Sequence, residues 1–186
     1  ITGASGSGKT SLLRALAGLW PYASGEVSRP TGEHVLFLAY RPYLPLGTLR
    51  AALAYPRPPD ALDTETAHAT LRQVALGHLQ ERLDEDRDWT LALSPGEQQR
   101  LAFARALITA PRLLICDEAT ASVEEGLEHA LYTLVREQLP ATTVISTGHR
   151  ASLEALHQHH LALLGEGRWG ARQLTGAPEP ASVDQG

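Results

Sequence analysis

Residues Gly3-Ala4-Ser5-Gly6-Ser7-Gly8-Lys9-Thr10 set two glycines five apart, followed by a lysine and a hydroxyl. Glycines let backbone N–H groups curl around phosphate oxygens, and a helix that follows turns its N-terminus to the same anion. In such a loop Lys9 reaches the β- and γ-phosphates, and the Thr10 hydroxyl holds Mg²⁺. The competing reading is a chance glycine turn. Composition favours the first: Lys9 is the sole lysine, against fifteen arginines. A compact ammonium on a flexible stem suits a phosphate loop better than a planar guanidinium fork.

A second group is Leu113-Leu114-Ile115-Cys116-Asp117-Glu118. An apolar strand here delivers two acids to the carboxyl edge of a sheet, where ligands bind in open α/β folds. Asp117 is placed to hold Mg²⁺ through water, and Glu118 to polarise an attacking water. By itself the stretch reads equally well as a strand followed by an acidic helix cap. A third group is Leu93-Ser94-Pro95-Gly96-Glu97-Gln98-Gln99-Arg100. Ser94 and Glu97 form a capping box, and Pro95 takes the first helical position, where its missing N–H costs nothing. The Ser94 hydroxyl and the Gly96 N–H also make this helix start a second anion site. Two phosphate-seeking helix ends and one nucleotide suggest a composite site.

These residues need strands and helices to hold them. Helices are expected from about Lys9 to Ala17, from about Leu49 to Leu83 with a break at Tyr55–Asp60, from Ser94 to before Pro111, and over Glu124–Leu139. Short apolar runs within 33–40, 112–120, 142–150 and 160–169 read as strands. Buried strands alternating with helices indicate an α/β fold with a largely parallel sheet. Glu81–Asp88 reads as a solvated loop, and the Gly/Pro/Ala-rich stretch from about Gly170 as a frayed tail.

Composition narrows the class. The 186 residues fit one domain, or one domain with a subdomain, and 43% apolar content is enough for a core. A net charge of −5 argues against nucleic acid as a partner. The single cysteine, Cys116, excludes an internal disulfide and reads as a small buried strand residue. No apolar run approaches the ~20 residues of a membrane span. The cluster His157, His159 and His160 lacks a cysteine or acids at ligand spacing, so a metal is not expected there.

The stretch Leu93–Arg100 resembles the signature motif of ABC ATPases. The resemblance continues in Asp117-Glu118-Ala119-Thr120-Ala121-Ser122-Val123-Glu124-Glu125-Gly126 and in Ser146-Thr147-Gly148-His149-Arg150, in order and spacing over about residues 1–165. The flavour of Arg41–Arg50, Gly96–Leu107 and Ser146–Arg150 is similar to subfamily D. That branch includes peroxisomal fatty-acyl transporters and bacterial SbmA/BacA-like and YddA-like transporters. The resemblance implies a RecA-like P-loop ATPase core at 1–48 and 95–169, an inserted helical signature subdomain at 49–94, and a disordered tail at 170–186. It implies ATP and Mg²⁺ as ligands. It implies that His149 contacts the γ-phosphate and the attacking water, and that Ser94, Gly96 and Glu97 meet the nucleotide of a second, identical domain. A transmembrane domain, expected in the same polypeptide, would set the pair at the cytoplasmic face of a bacterial inner membrane.

The sequence departs from that pattern in places. The family places a glutamine where Tyr40 stands, and a phenol cannot supply a carboxamide's paired donor and acceptor. Turnover and coupling are therefore in doubt, though not binding. Glu124 replaces the usual aspartate at the end of the loop after the acids. The family's N-terminal β-subdomain and its adenine-stacking aromatic do not precede Gly3. The chain is thus expected to be the C-terminal piece of a longer protein, and to hydrolyse ATP poorly when isolated. The expected function is an ATP-hydrolysing transporter domain. The alternatives are a soluble ABC ATPase of DNA repair or translation, and a degenerate ATP-binding module that only gates.

Overall fold

The computed structural model describes residues 1–148 and 150–174. In chain order the described elements are β1 (Thr2–Gly3), α1 (Lys9–Ala17), β2 (Val35–Ala39), β3 (Gly47–Thr48), α2 (Leu49–Ala54), α3 (Thr64–Gln73), β4 (Asp86–Arg87), α4 (Trp89–Ala92), α5 (Pro95–Thr109), β5 (Leu113–Asp117), α6 (Glu125–Gln138), β6 (Thr143–Thr147), β7 (His159–Gly165) and β8 (Arg168–Gln173). Strands β2, β5 and β6 pair in parallel in that order. Strand β1 pairs in parallel with β7, and β7 pairs antiparallel with β8. The nitrogen of Ile1, the residue before β1, donates to Ser146 O of β6 at 2.6 Å, so the two three-stranded sheets meet there.

The middle strand shows why this order forms. Every residue of β5 is buried. Successive side chains point to opposite faces, so one strand feeds two cores. Leu114 and Cys116 join the larger core with Phe103 of α5 and Leu131 and Val135 of α6. Leu113 and Ile115 join Leu13 of α1 on the other face. A strand covered on both faces must be apolar throughout, as Leu113–Cys116 is.

The region 49–93 is helical, with short 3₁₀ turns at Pro59–Ala61 and Gly77–Arg82. Its apolar residues Leu53, Leu71, Leu76 and Trp89 belong to the same core as α5. The stretch 81–88 is more ordered than a solvated loop. Asp86 and Arg87 pair with Thr48 and Gly47, and Arg50 holds Asp84 at 2.7 Å. The end of the chain also differs from the expectation. Residues 170–173 continue β8, because the ladder to β7 satisfies their backbone groups despite a glycine-rich composition. The rest of the expected tail, residues 175–186, lies outside the described residues.

Candidate functional site

The loop 3–10 follows β1 at the sheet's carboxyl edge. Gly3 sits at φ 152°, and a Cβ there would lie 2.6 Å from both Leu163 O and Ser7 Oγ. No other residue fits so tight a passage between strand and loop. The loop closes with Ser7 N donating to Ala4 O at 3.1 Å. Gly8, at φ 95°, is the N-cap of α1 and offers no side chain to its first turn. The first N–H groups of α1 thus have no capping side chain, and the helix dipole puts partial positive charge there. Lys9 is buried, and its ammonium donates to Gly3 O at 2.8 Å and Ala4 O at 3.0 Å. An ammonium has three donors, so one remains beyond these two. Ser7 Oγ is buried with no hydrogen-bond partner among the described residues.

The acids arrive from β5. Thr10 Oγ1 donates to Asp117 Oδ1 at 3.1 Å, and Thr147 Oγ1 donates to the same oxygen at 3.0 Å. Thr147 Oγ1 in turn accepts from Glu118 N at 3.1 Å. The end of β6 therefore fixes both acids. Glu118 has φ 51°, a left-handed conformation that costs a non-glycine residue on the order of 1–3 kcal/mol. Neighbouring packing must hold it there, and such strain clusters at functional sites. The loop 3–10, Asp117 and Glu118 thus form one site. A further cavity lies elsewhere. It has a volume of about 920 Å³ between β6, α6 and β7, and its walls include Leu16, Val144 and Leu161 but no residue of 3–10 and neither acid.

The signature residues stand apart from that site. The capping box is present: Ser94 Oγ accepts from Glu97 N at 3.3 Å, and Ser94 N donates to Glu97 Oε2 at 2.9 Å. His78 Nε2 lies 3.1 Å from Glu97 Oε1. Partial burial raises the Glu97 pKa, but the bonds from Ser94 and His78 outweigh it and leave the carboxyl below its ordinary value. Among the described residues, none of these bonds reaches the loop 3–10. Gly96 has a packing reason to lack a side chain, since a Cβ there would sit 2.7 Å from Ser122 O.

Two polar clasps were not singled out from the sequence. Gln99, buried in α5, donates from Nε2 to Tyr40 O at 3.0 Å and accepts at Oε1 from Ser122 N at 2.9 Å. Arg150 Nη1 donates to Val123 O at 2.8 Å and to Glu128 Oε2 at 3.4 Å. Buried Glu128 also accepts from Thr120 Oγ1. A glutamine in the middle of an otherwise apolar helix face, between Gly96 and Phe103, was the available signal for the first. Tyr40 itself is half-exposed, with only its main chain held by Gln99. Glu124 is the exposed N-cap of α6 and makes no side-chain capping bond. His149 lies outside the described residues. Two of the clustered histidines are tied into the fold: His157 sits between Leu153 O and Ser146 Oγ, and His160 between Thr2 Oγ1 and Arg172 Nε. Cys116 is fully buried, and burial pushes its thiol up to about 12.

This arrangement has close counterparts. The family model described as ABC transporter matches residues 1–121. An uncharacterised ABC transporter ATP-binding protein of Haemophilus influenzae is 52% identical over 169 residues, covering 91% of this chain and 28% of that protein. The human lysosomal cobalamin transporter ABCD4 is 44% identical over 182 residues, covering 91% of this chain and 30% of that one. The solved structure of a bacterial Atm1-family ABC exporter with ATP bound superposes with a TM-score of 0.73 at 26% identity, covering 87% of this chain and 31% of that chain. The chain therefore spans less than a third of the length of each of these proteins. With the family matched over more than half of its residues, and subfamily D members among its relatives, the chain belongs to the ABC transporter family as an ATP-binding domain.

Proposed function

We propose that this domain binds ATP through residues 3–10, hydrolyses it with water activated by Glu118, and works as one of two identical domains driving a transmembrane domain of the same polypeptide. One observation carries the reading: the 3.1 Å bond between Thr10 Oγ1 and Asp117 Oδ1. It brings two hard oxygen atoms, from segments 107 residues apart, to the mouth of a lysine-bearing glycine loop. Oxygen is the donor Mg²⁺ takes, so Thr10 and Asp117 would hold that ion, which supplies charge neutralisation on the phosphates. The partnerless Ser7 hydroxyl and the uncapped start of α1 fit an oxyanion ligand.

The chain's own groups divide the work. The loop N–H groups and the third Lys9 donor bind and orient the phosphates. Glu118, held by Thr147 and by its strained backbone, takes the proton of the attacking water. His149 would orient that water by family resemblance. Ser94, Gly96 and Glu97 make no bond to their own loop, which supports their facing the nucleotide of a second copy. The pair would lie at the cytoplasmic face of a membrane, the inner one in bacteria. No described helix is long and apolar enough to cross a membrane itself.

The test is Mg²⁺-dependent ATP hydrolysis by the intact polypeptide in membranes, compared with Asp117→Asn. Hydrolysis insensitive to chelation, or unchanged in the variant, rejects the reading. A second reading, a module that binds ATP and only gates, is favoured by Tyr40 alone. Tyr40→Gln should then raise turnover or its response to transported substrate, and no change in either removes that support.

A further inference from the structure

We infer that Gln99 is a positioning residue, which locks the loop after β2 to the loop after β5 so that residue 40 and Glu118 keep their places relative to α5. The inference rests on the proposed hydrolytic reading of the acid site. Its geometry stands on three contacts. The Gln99 amide spends its donor end on Tyr40 O, 3.0 Å away, and its acceptor end on Ser122 N, 2.9 Å away. One turn earlier on the same helix face, Gly96 approaches Ser122 O so closely that a Cβ would stand 2.7 Å from it. Residues three apart on a helix share a face, so Gly96 and Gln99 grip one loop together.

Both partners of Gln99 are backbone atoms. The clasp is therefore indifferent to the side chain at position 40, and it holds that main chain in place although Tyr40 stands there. The gripped loop begins at Glu118 and contains the 3.1 Å bond from Ala121 N to Glu118 O. Its far side is tied by Arg150 to Val123 O. A shift of α5 is then transmitted to both loops through one buried amide. At this reach a primary amide presents a donor and an acceptor side by side at every working pH, whereas a carboxyl does so only when protonated.

The variants separate the two ends. In Gln99→Glu a carboxylate still accepts from Ser122 N but no longer donates to Tyr40 O. Protonation restores a donor, and burial raises that carboxyl's pKa toward the working range. In the intact protein, Gln99→Glu should lower kcat about 10- to 100-fold at pH 8, with KM for ATP little changed, as misplacement of reacting groups does. Relative kcat should recover as the pH falls to 6. Gln99→Met removes both ends at similar volume and should show no such recovery. Amide hydrogen exchange without nucleotide supplies a readout independent of turnover. Residues 40–43 should lose protection in both variants, and Ser122 only in Gln99→Met. Wild-type kcat in Gln99→Glu at pH 8, a loss that does not recover at pH 6, or unchanged exchange at 40–43 overturns the inference. Failure of both variants to fold does so too, since Gln99 would then serve stability alone. Wild-type protein that does not hydrolyse ATP rejects the hydrolytic reading instead, and the exchange pattern still decides whether the clasp couples the loops.

Discussion

Two helix starts are the proposed anion sites of this domain, and they are built in opposite ways. The first turn of α1 has Gly8 as its cap and no side chain on its N–H groups. The first turn of α5 closes on itself through Ser94 and Glu97. Around α1 the supporting groups come from β5, β6 and β7, through Asp117, Thr147 and Leu163. Around Ser94 they come from within three residues, with His78 added. An uncapped helix end leaves its donors to a ligand, whereas a capped one can only share them. On the proposed reading, the first would be an affinity site. The second would add to a nucleotide already held, as the proposed far wall of a site shared between two copies.

Breaking the α1 side should give the largest effects. In the intact protein, Glu118→Gln should cut turnover by roughly 10²–10⁴-fold, the range for a general base. ATP binding should persist and nucleotide-bound dimers should accumulate. Turnover near wild type would remove Glu118 from the chemistry. Lys9→Met deletes an ionised donor, worth about 1.5–3 kcal/mol, and should weaken ATP about 10- to 150-fold by calorimetry. If affinity stays within a factor of two, the loop does not grip phosphate through Lys9.

The α5 side should respond in stability and dimerisation instead. Gly96→Ala puts a methyl 2.7 Å from a backbone oxygen, so α5 or the loop at Ser122 must move. Overpacking of this kind costs about 1–3 kcal/mol, read as a lower urea midpoint. ATP affinity at the loop 3–10 should not change, and a matching loss of affinity would erase the contrast between the two starts. Ser94→Ala should cost about 1 kcal/mol through the lost cap. ATP-driven dimers, measured by light scattering, should weaken with it, and dimers as strong as wild type would mean that Ser94 only caps.

The smallest effect concerns pH and lies away from both starts. Burial pushes His157 below the ordinary histidine value, against the bond to Leu153 O, and the Arg136 charge adds to the shift. Below about 6.5 the unfolded chain takes up a proton that the folded chain refuses. Stability contributed by neutral His157 is then complete above that pH and declines as the pH falls toward its lower folded value. The difference in urea midpoint between pH 7.5 and pH 5.5 should be smaller in His157→Gln. An equal difference in the two proteins assigns the acid sensitivity to other groups.

Legibility followed locality. The helix Lys9–Ala17 has its expected bounds, because Gly8 and Gly18 punctuate it within the sequence itself. The capping box of α5 spans four consecutive residues, so the spacing of serine, proline and glutamate was sufficient to find it. Strand β5 announced itself by an unbroken apolar run ending in acid. The expected tail failed over 170–173 for the opposite reason. Its order comes from a ladder to β7, and a glycine-rich edge strand carries little pattern of its own.

By itself, then, the sequence determined the phosphate loop, the acid-tipped strand, the capped signature helix and the family they belong to. In each the chemistry is carried by residues a few positions apart, whose geometry the local backbone dictates. Tertiary structure alone decided that Thr147 would hold both Asp117 and Glu118, and that Gly96 would be pressed against Ser122. It alone decided that Gln99 would join the backbones at 40 and 122. Those contacts link segments from 23 to 59 residues apart, with backbone atoms as most of the partners. Backbone groups are the same at every position. Which of them meet depends on strand order and helix packing, and no residue type records it.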